Sequence, residues 1–200
     1  MFQKSKNVRI RLCNLSEVVP AENKVITDVE EISYDVLVLA TGADTNFFGK
    51  KQLEAHAFPM KSTVEALQIR HKLLQLFEKA HSIKNDLELQ RMMNIVVVGG
   101  GPTGVEVSGA LAEMKKYVLP KDFPELDFSK MNIYLLEGAD KTLAAMSEKS
   151  SKQSGKYLNR LGVTVMTNTL VKDYDGQNIM LQNGDEIPTS TVIWAAGIKG

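Results

Sequence analysis

The sequence predicts an α/β fold: a parallel sheet flanked by helices and a β-meander, with a partial segment of a second domain before it. Three observations predict it. From residue 94 strand-like and helix-like patterns alternate, a glycine-rich turn joins the first of those strands to its helix, and a strand–turn–strand pattern recurs at a fixed offset of 155 residues.

Upstream of that region, residues 8–42 read as β structure. Val8, Ile10 and Leu12 alternate with polar residues, the period of a half-buried strand. Val25-Ile26 and Ile32 flank a polar turn, and Val36-Leu37-Val38-Leu39 is a continuous apolar run of the buried, parallel type. The single cysteine, Cys13, reads as a strand-packing residue. Residues 62–80 read as a helix, with Ser62 and Glu65 as a capping box and Ile69, Leu73, Leu76, Phe77 and Ala80 on one face. His56, His71 and His81 lie in or beside that segment at no metal-ligand spacing and read as surface or interface residues.

The βαβ series then begins. Asn94-Ile95-Val96-Val97-Val98 is a buried strand, residues 103–116 a helix, 131–136 a second strand, 147–161 a second helix ended by Gly162, and 163–166 a third strand. Pro120 and Pro124 mark residues 117–130 as a loop. Short alternating runs around Asp175-Gly176 and Asn183-Gly184 predict a meander over 169–188, and Thr191-Val192-Ile193-Trp194 closes the series.

The repeat aligns residues 25–42 with 180–197 without a gap. Glu30-Glu31-Ile32 meets Asp185-Glu186-Ile187, Leu37-Val38 meets Val192-Ile193, and Ala40-Thr41-Gly42 meets Ala195-Ala196-Gly197. The second copy closes a module that opens with the glycine turn. The first copy has no such opening, which predicts one complete nucleotide-binding module beside the tail of another, as in a fragment of a longer chain.

The glycine turn, Gly99-Gly100-Gly101-Pro102-Thr103-Gly104, contains G-x-G-x-x-G in the context that makes the pattern meaningful: a strand before it and a helix after it. Gly99 permits the turn, Gly101 lets backbone approach a pyrophosphate, and Gly104 lets the helix pack on the strand. The helix N-terminus supplies the anion site through free N–H groups and its dipole. Ser108, Gly109 and Ala112 continue a small-residue surface for helix–sheet packing. An acidic residue ending the second strand completes the pattern: Glu137, placed 33 residues after Gly104 because of the loop at 117–130. Its carboxylate accepts hydrogen bonds from ribose hydroxyls and repels a 2′-phosphate, which favours NADH over NADPH; Lys141 nearby softens that repulsion. Glu106, in the first helical turn, reads either as an N-terminal acid facing solvent or as a functional carboxylate.

Composition narrows the partners. Basic and acidic residues balance at 24 each, so nothing marks a nucleic-acid surface, and the longest apolar runs are strand-sized. With one cysteine no intrachain disulfide forms, and a reducing, cytoplasmic setting is the default. The opening residues Met1-Phe2-Gln3-Lys4-Ser5-Lys6 lack the apolar stretch of a signal peptide.

These residues resemble the type II NADH dehydrogenases, the single-subunit, FAD-dependent NADH:quinone oxidoreductases of the respiratory chain, over nearly the whole chain. The resemblance rests on residues 34–42, on Asp44-Thr45-Asn46-Phe47-Phe48-Gly49, on Met60-Lys61-Ser62, on the glycine turn through Val105-Glu106, on residues 117–128 and on Val192-Ile193-Trp194-Ala195-Ala196-Gly197. It implies that residues 1–60 are part of an FAD-binding domain, 61–92 a connecting helix and 93–200 the NAD(H)-binding domain. It implies hydride transfer from NADH to FAD and electron transfer to quinone. Ala40-Thr41-Gly42 then lies on the FAD side, Ala195-Ala196-Gly197 near the nicotinamide, and Glu106 near the nicotinamide–flavin junction as a proton relay. The full-length enzyme is expected on the cytoplasmic face of the inner membrane, attached through regions this sequence does not contain. The alternatives are another flavoprotein reductase, of ferredoxin, nitrite or disulfide type, and a non-catalytic NADH-sensing module. No cysteine falls within residues 93–200, against a thioredoxin-reductase-like C-x-x-C.

Overall fold

The computed structural model describes residues 5–200, and the chain divides into two units, Met1–Gly42 and Ala43–Gly200. Met1 to Lys4, with most of the reading that no signal peptide opens the chain, lie outside the described residues.

The first unit is a three-stranded antiparallel meander of β1 (Leu15–Val19), β2 (Lys24–Thr27) and β3 (Glu31–Ser33). Asp28 ties its open end by accepting from the Asn14 backbone N–H at 2.9 Å and side-chain amide at 2.8 Å. Two expectations fail here. Residues 8–12 form no strand and expose Ile10 and Leu12, and residues 36–39 form no strand and leave Val36 82% and Val38 79% exposed. An apolar run becomes a strand only beside another strand that takes its backbone hydrogen bonds, and among the described residues none lies alongside either run. Cys13 is half-buried but precedes β1 rather than packing within it.

The second unit begins with β4 (Asp44–Thr45), α1 (Lys51–His56) and β5 (Phe58–Pro59). The predicted helix follows as α2 (Thr63–Ala80). Its capping box is complete: the Ser62 hydroxyl accepts from the Glu65 N–H, and the Glu65 carboxylate accepts from the N–H of Ser62 at 2.6 Å. Helix α3 (Asp86–Met93), capped by Asn85, follows at the end of the 61–92 stretch. Then come β6 (Asn94–Val98), α4 (Pro102–Tyr117), the short α5 (Leu119–Asp122), β7 (Asn132–Leu136), α6 (Glu148–Arg160) and β8 (Val163–Met166). A second meander of β9 (Val171–Tyr174), β10 (Asn178–Leu181) and β11 (Glu186–Pro188) leads to β12 (Thr191–Trp194) and β13 (Ile198–Lys199).

Five strands form a parallel sheet in the order β5-β12-β6-β7-β8. Strand β6 is apolar after Asn94 because both faces are covered. Ile95 and Val97 face a core with Phe77 of α2, Leu111 of α4 and Leu158 of α6, while Val96 and Val98 face Tyr174, Ile179 and Leu181 of the meander. Residues 117–130 are more than a loop. Leu119 and Phe128 are buried, and Phe77 packs edge to face against both Phe123 and Phe128, with centroids 5.8 and 5.3 Å away. Ser108 and Ala112 are buried as expected of a close-packing helix face, whereas Gly109 faces open space.

The repeat survives in part. Both copies form the antiparallel hairpin, β2–β3 and β10–β11, with pairing offset by one residue: Val25 opposes Ile32, but Ile187 opposes Ile179 rather than Met180. Both end in a glycine with the same positive φ, Gly42 and Gly197 at +83°. They differ in the last strand, which forms only in the second copy.

Candidate functional site

The parallel sheet sets the site. Strand β6 is central; the chain leaves it toward β7 and β8 on one side and returns as β12 on the other. The crevice at such a reversal, beyond the carboxyl ends of the strands, is where this architecture opens for ligands. Three segments predicted from sequence meet there: Gly99 follows β6, Glu137 follows β7 and Ala195 follows β12. Backbone bonds carry the ladder past the strand ends, from Gly99 N–H to Leu136 C=O and from Ala195 N–H to Val98 C=O, each 2.8 Å.

The turn from β6 to α4 needs glycine at two places because backbone crowds them. Gly99 has φ +108°, and a Cβ there would lie 2.8 Å from the Ala195 carbonyl. A Cβ at Gly104 would lie 1.8 Å from the Gly99 carbonyl oxygen. The loop is thus folded against both its own helix and β12. Gly101 is the N-cap and Pro102 the first residue of α4, where a missing N–H costs no helical hydrogen bond. Thr103 stands exposed at the helix start.

Two clefts flank the loop. One, about 440 Å³, is lined by Thr103, Trp194, Ala195 and Gly197, with Met60, Lys61 and Ser62 across from them. The other, about 360 Å³, is lined by Gly99, Glu137, Gly138, Leu170 and Ala196. Trp194 borders both and is held in place: its indole N–H donates to the Asn46 carbonyl at 2.9 Å, and Phe47 stacks on it at 5.8 Å. Asn46 also donates its N–H to the Gly197 carbonyl, so the conspicuous segment 44–49 braces the turn at 195–197. That contact was not foreseen, because it links residues about 150 positions apart through backbone atoms that carry no sequence signature.

Glu137 accepts from the Gly100 N–H at 2.5 Å and from the Ala139 N–H at 2.7 Å. Lys141 pairs instead with Glu148 at 3.7 Å. Glu106 is not in the first turn of α4, which begins at Pro102 because proline is favoured at the first helical position; it lies exposed just past that turn, outside both clefts. Residues 40–42 belong to the first unit and are exposed. No grouping of metal-ligating side chains occurs among the described residues, and no helix among them is long and apolar enough to cross a membrane.

A chain built this way is similar to known oxidoreductases. It is 30% identical over 207 residues to the type II NADH:quinone oxidoreductase Ndh of Mycobacterium tuberculosis, covering 100% of this chain and 45% of that protein. It is 28% identical over 213 residues to the type II NADH:quinone oxidoreductase of Haemophilus influenzae, covering 99% of this chain and 48% of the relative. The structure of NDH2 from Plasmodium falciparum in complex with NADH superposes with a TM-score of 0.78 at 26% identity, over 93% of this chain and 40% of that one. The chain therefore spans less than half the length of these relatives. The pyridine nucleotide-disulphide oxidoreductase family profile matches residues 2–200, and the chain belongs to that family.

Proposed function

We propose that the chain is the NADH-binding part of an NADH:quinone oxidoreductase. The observation that carries this reading is the glycine loop, set between two clefts with a carboxylate at the end of the neighbouring strand. A dinucleotide has the matching layout of two nucleoside halves joined by a pyrophosphate. The pyrophosphate would lie over Gly101, where nothing stands within 4 Å of a Cβ position and backbone can approach closely. The adenosine half falls to the Glu137 cleft, whose carboxylate accepts from ribose hydroxyls and repels a 2′-phosphate. The nicotinamide half falls to the cleft of Thr103, Ala195 and Gly197.

Bound FAD would supply the two-electron acceptor for the hydride and the route onward to quinone. For it the chain offers one turn, residues 40–42, which repeats the 195–197 turn down to its left-handed glycine. Glu106 is proposed as a proton-relaying carboxylate at the flavin side of the NADH site in the full-length enzyme. That enzyme would act from the cytoplasmic face of the inner membrane.

Titration with NADH and NADPH tests the reading, with Trp194, the only tryptophan and a lining residue of both clefts, as reporter. Saturable quenching by NADH, weaker quenching by NADPH and purification without bound flavin are expected. No saturable response to either nucleotide, with Trp194 still shielded in a folded chain, overturns it.

A further inference from the structure

We infer that Glu137 is a positioning residue for the glycine loop: it clips the loop closed through Gly100 before any nucleotide arrives. The inference rests on the proposed NADH site for its ligand but not for its geometry. Gly100 is tied on both sides. Its N–H donates to one oxygen of the Glu137 carboxylate, and its carbonyl accepts from the Leu143 N–H at 2.7 Å. The second carboxylate oxygen accepts from the Ala139 N–H. The loop after β6 is thereby pinned to the segment after β7 at both peptides flanking Gly100.

The clip explains a glycine that the G-x-G-x-x-G pattern leaves free. Gly100 is not among the residues with positive φ, so its backbone suits any residue. The constraint comes from Glu137: a Cβ at Gly100 would lie 2.8 Å from the carboxylate oxygen and 3.0 Å from Glu137 Cβ and Cγ. The clip also fixes what the carboxylate can offer. Two oxygens carry about four acceptor positions. Two are taken by the N–H groups, which leaves one on each oxygen, the number a ribose diol needs. Ribose recognition and loop closure are thus functions of one carboxylate, and disturbing Gly100 should disturb both.

Amide hydrogen exchange on the nucleotide-free chain tests the clip. Glu137→Gln keeps the shape but sets an NH₂ donor against one of the two N–H donors. A charged hydrogen bond is lost, and Gly100 or Ala139 should exchange about tenfold faster or more. The amides of Val96 and Val97 should stay unchanged. Unchanged exchange at both Gly100 and Ala139 overturns the inference. Gly100→Ala tests the coupling without touching the carboxylate's charge: it should narrow the preference for NADH over NADPH several-fold, as Glu137→Gln does. An unaltered preference in a folded Gly100→Ala chain overturns the coupling. If the variant fails to fold, the exchange result decides. Protected Gly100 and Ala139 amides in a chain that binds neither nucleotide would sink the NADH reading and leave the clip standing.

Discussion

Gly101 and Gly104 stand three residues apart in one motif, yet they answer to different demands. At Gly101 a methyl group would meet nothing within 4 Å, while at Gly104 it would overlap the Gly99 carbonyl oxygen at 1.8 Å. Gly104→Ala should therefore cost roughly 3 kcal/mol of stability by overpacking, visible as a lowered melting temperature. Gly101→Ala should melt as the wild type does but bind NADH about tenfold more weakly, ~1.4 kcal/mol, because its methyl fills the ligand's approach. Equal melting temperatures for the two variants would contradict the geometry. The sequence makes these roles legible because a glycine pattern at a strand–helix junction has few physical solutions. It does not reveal the Glu137–Gly100 bond, which depends on where the β7 segment crosses the loop.

At the scale of elements, the long periodic segments were legible and the short ones were not. Helix α2 announces itself by its capping box and apolar face, whereas α1 and α3 are too short, and α3 too polar, for periodicity to stand out. Ser62→Ala should cost about 1 kcal/mol, measured by chemical denaturation, because it leaves the Glu65 N–H without its cap. The meander carries a different test. Tyr174 is 1% exposed, and burial, with the neighbouring Asp175 charge, pushes its phenol well above the ordinary 10.0. Above pH 10 the unfolded chain releases this proton while the folded chain keeps it, so unfolding becomes favoured as pH rises, by about 1.4 kcal/mol per pH unit at most. Below pH 10 both states hold the proton and the effect vanishes. Tyr174→Phe should flatten the alkaline fall in stability. An unchanged slope would assign it to other groups.

Across the whole chain, the repeat shows what a pattern can and cannot specify. The sequence writes the same apolar strand twice, at 36–39 and at 191–194. In the second copy β12 lies between β5 and β6, buried at every position. In the first copy no described strand lies alongside, and Val36, Val38 and Leu39 are 82%, 79% and 62% exposed. Periodicity thus encodes the capacity to pair, while burial depends on neighbours that the segment does not itself contain. Apolar side chains exposed with no strand alongside contribute little to folding and favour association. Replacing Val36 and Val38 by Thr and Leu39 by Gln together should leave the stability of Ala43–Gly200 and the NADH titration within about 0.5 kcal/mol of wild type. Sedimentation velocity should show less concentration-dependent association in the triple variant. A clear fall in melting temperature would mean instead that the run is buried in the folded chain, and that the two copies of the repeat are completed alike.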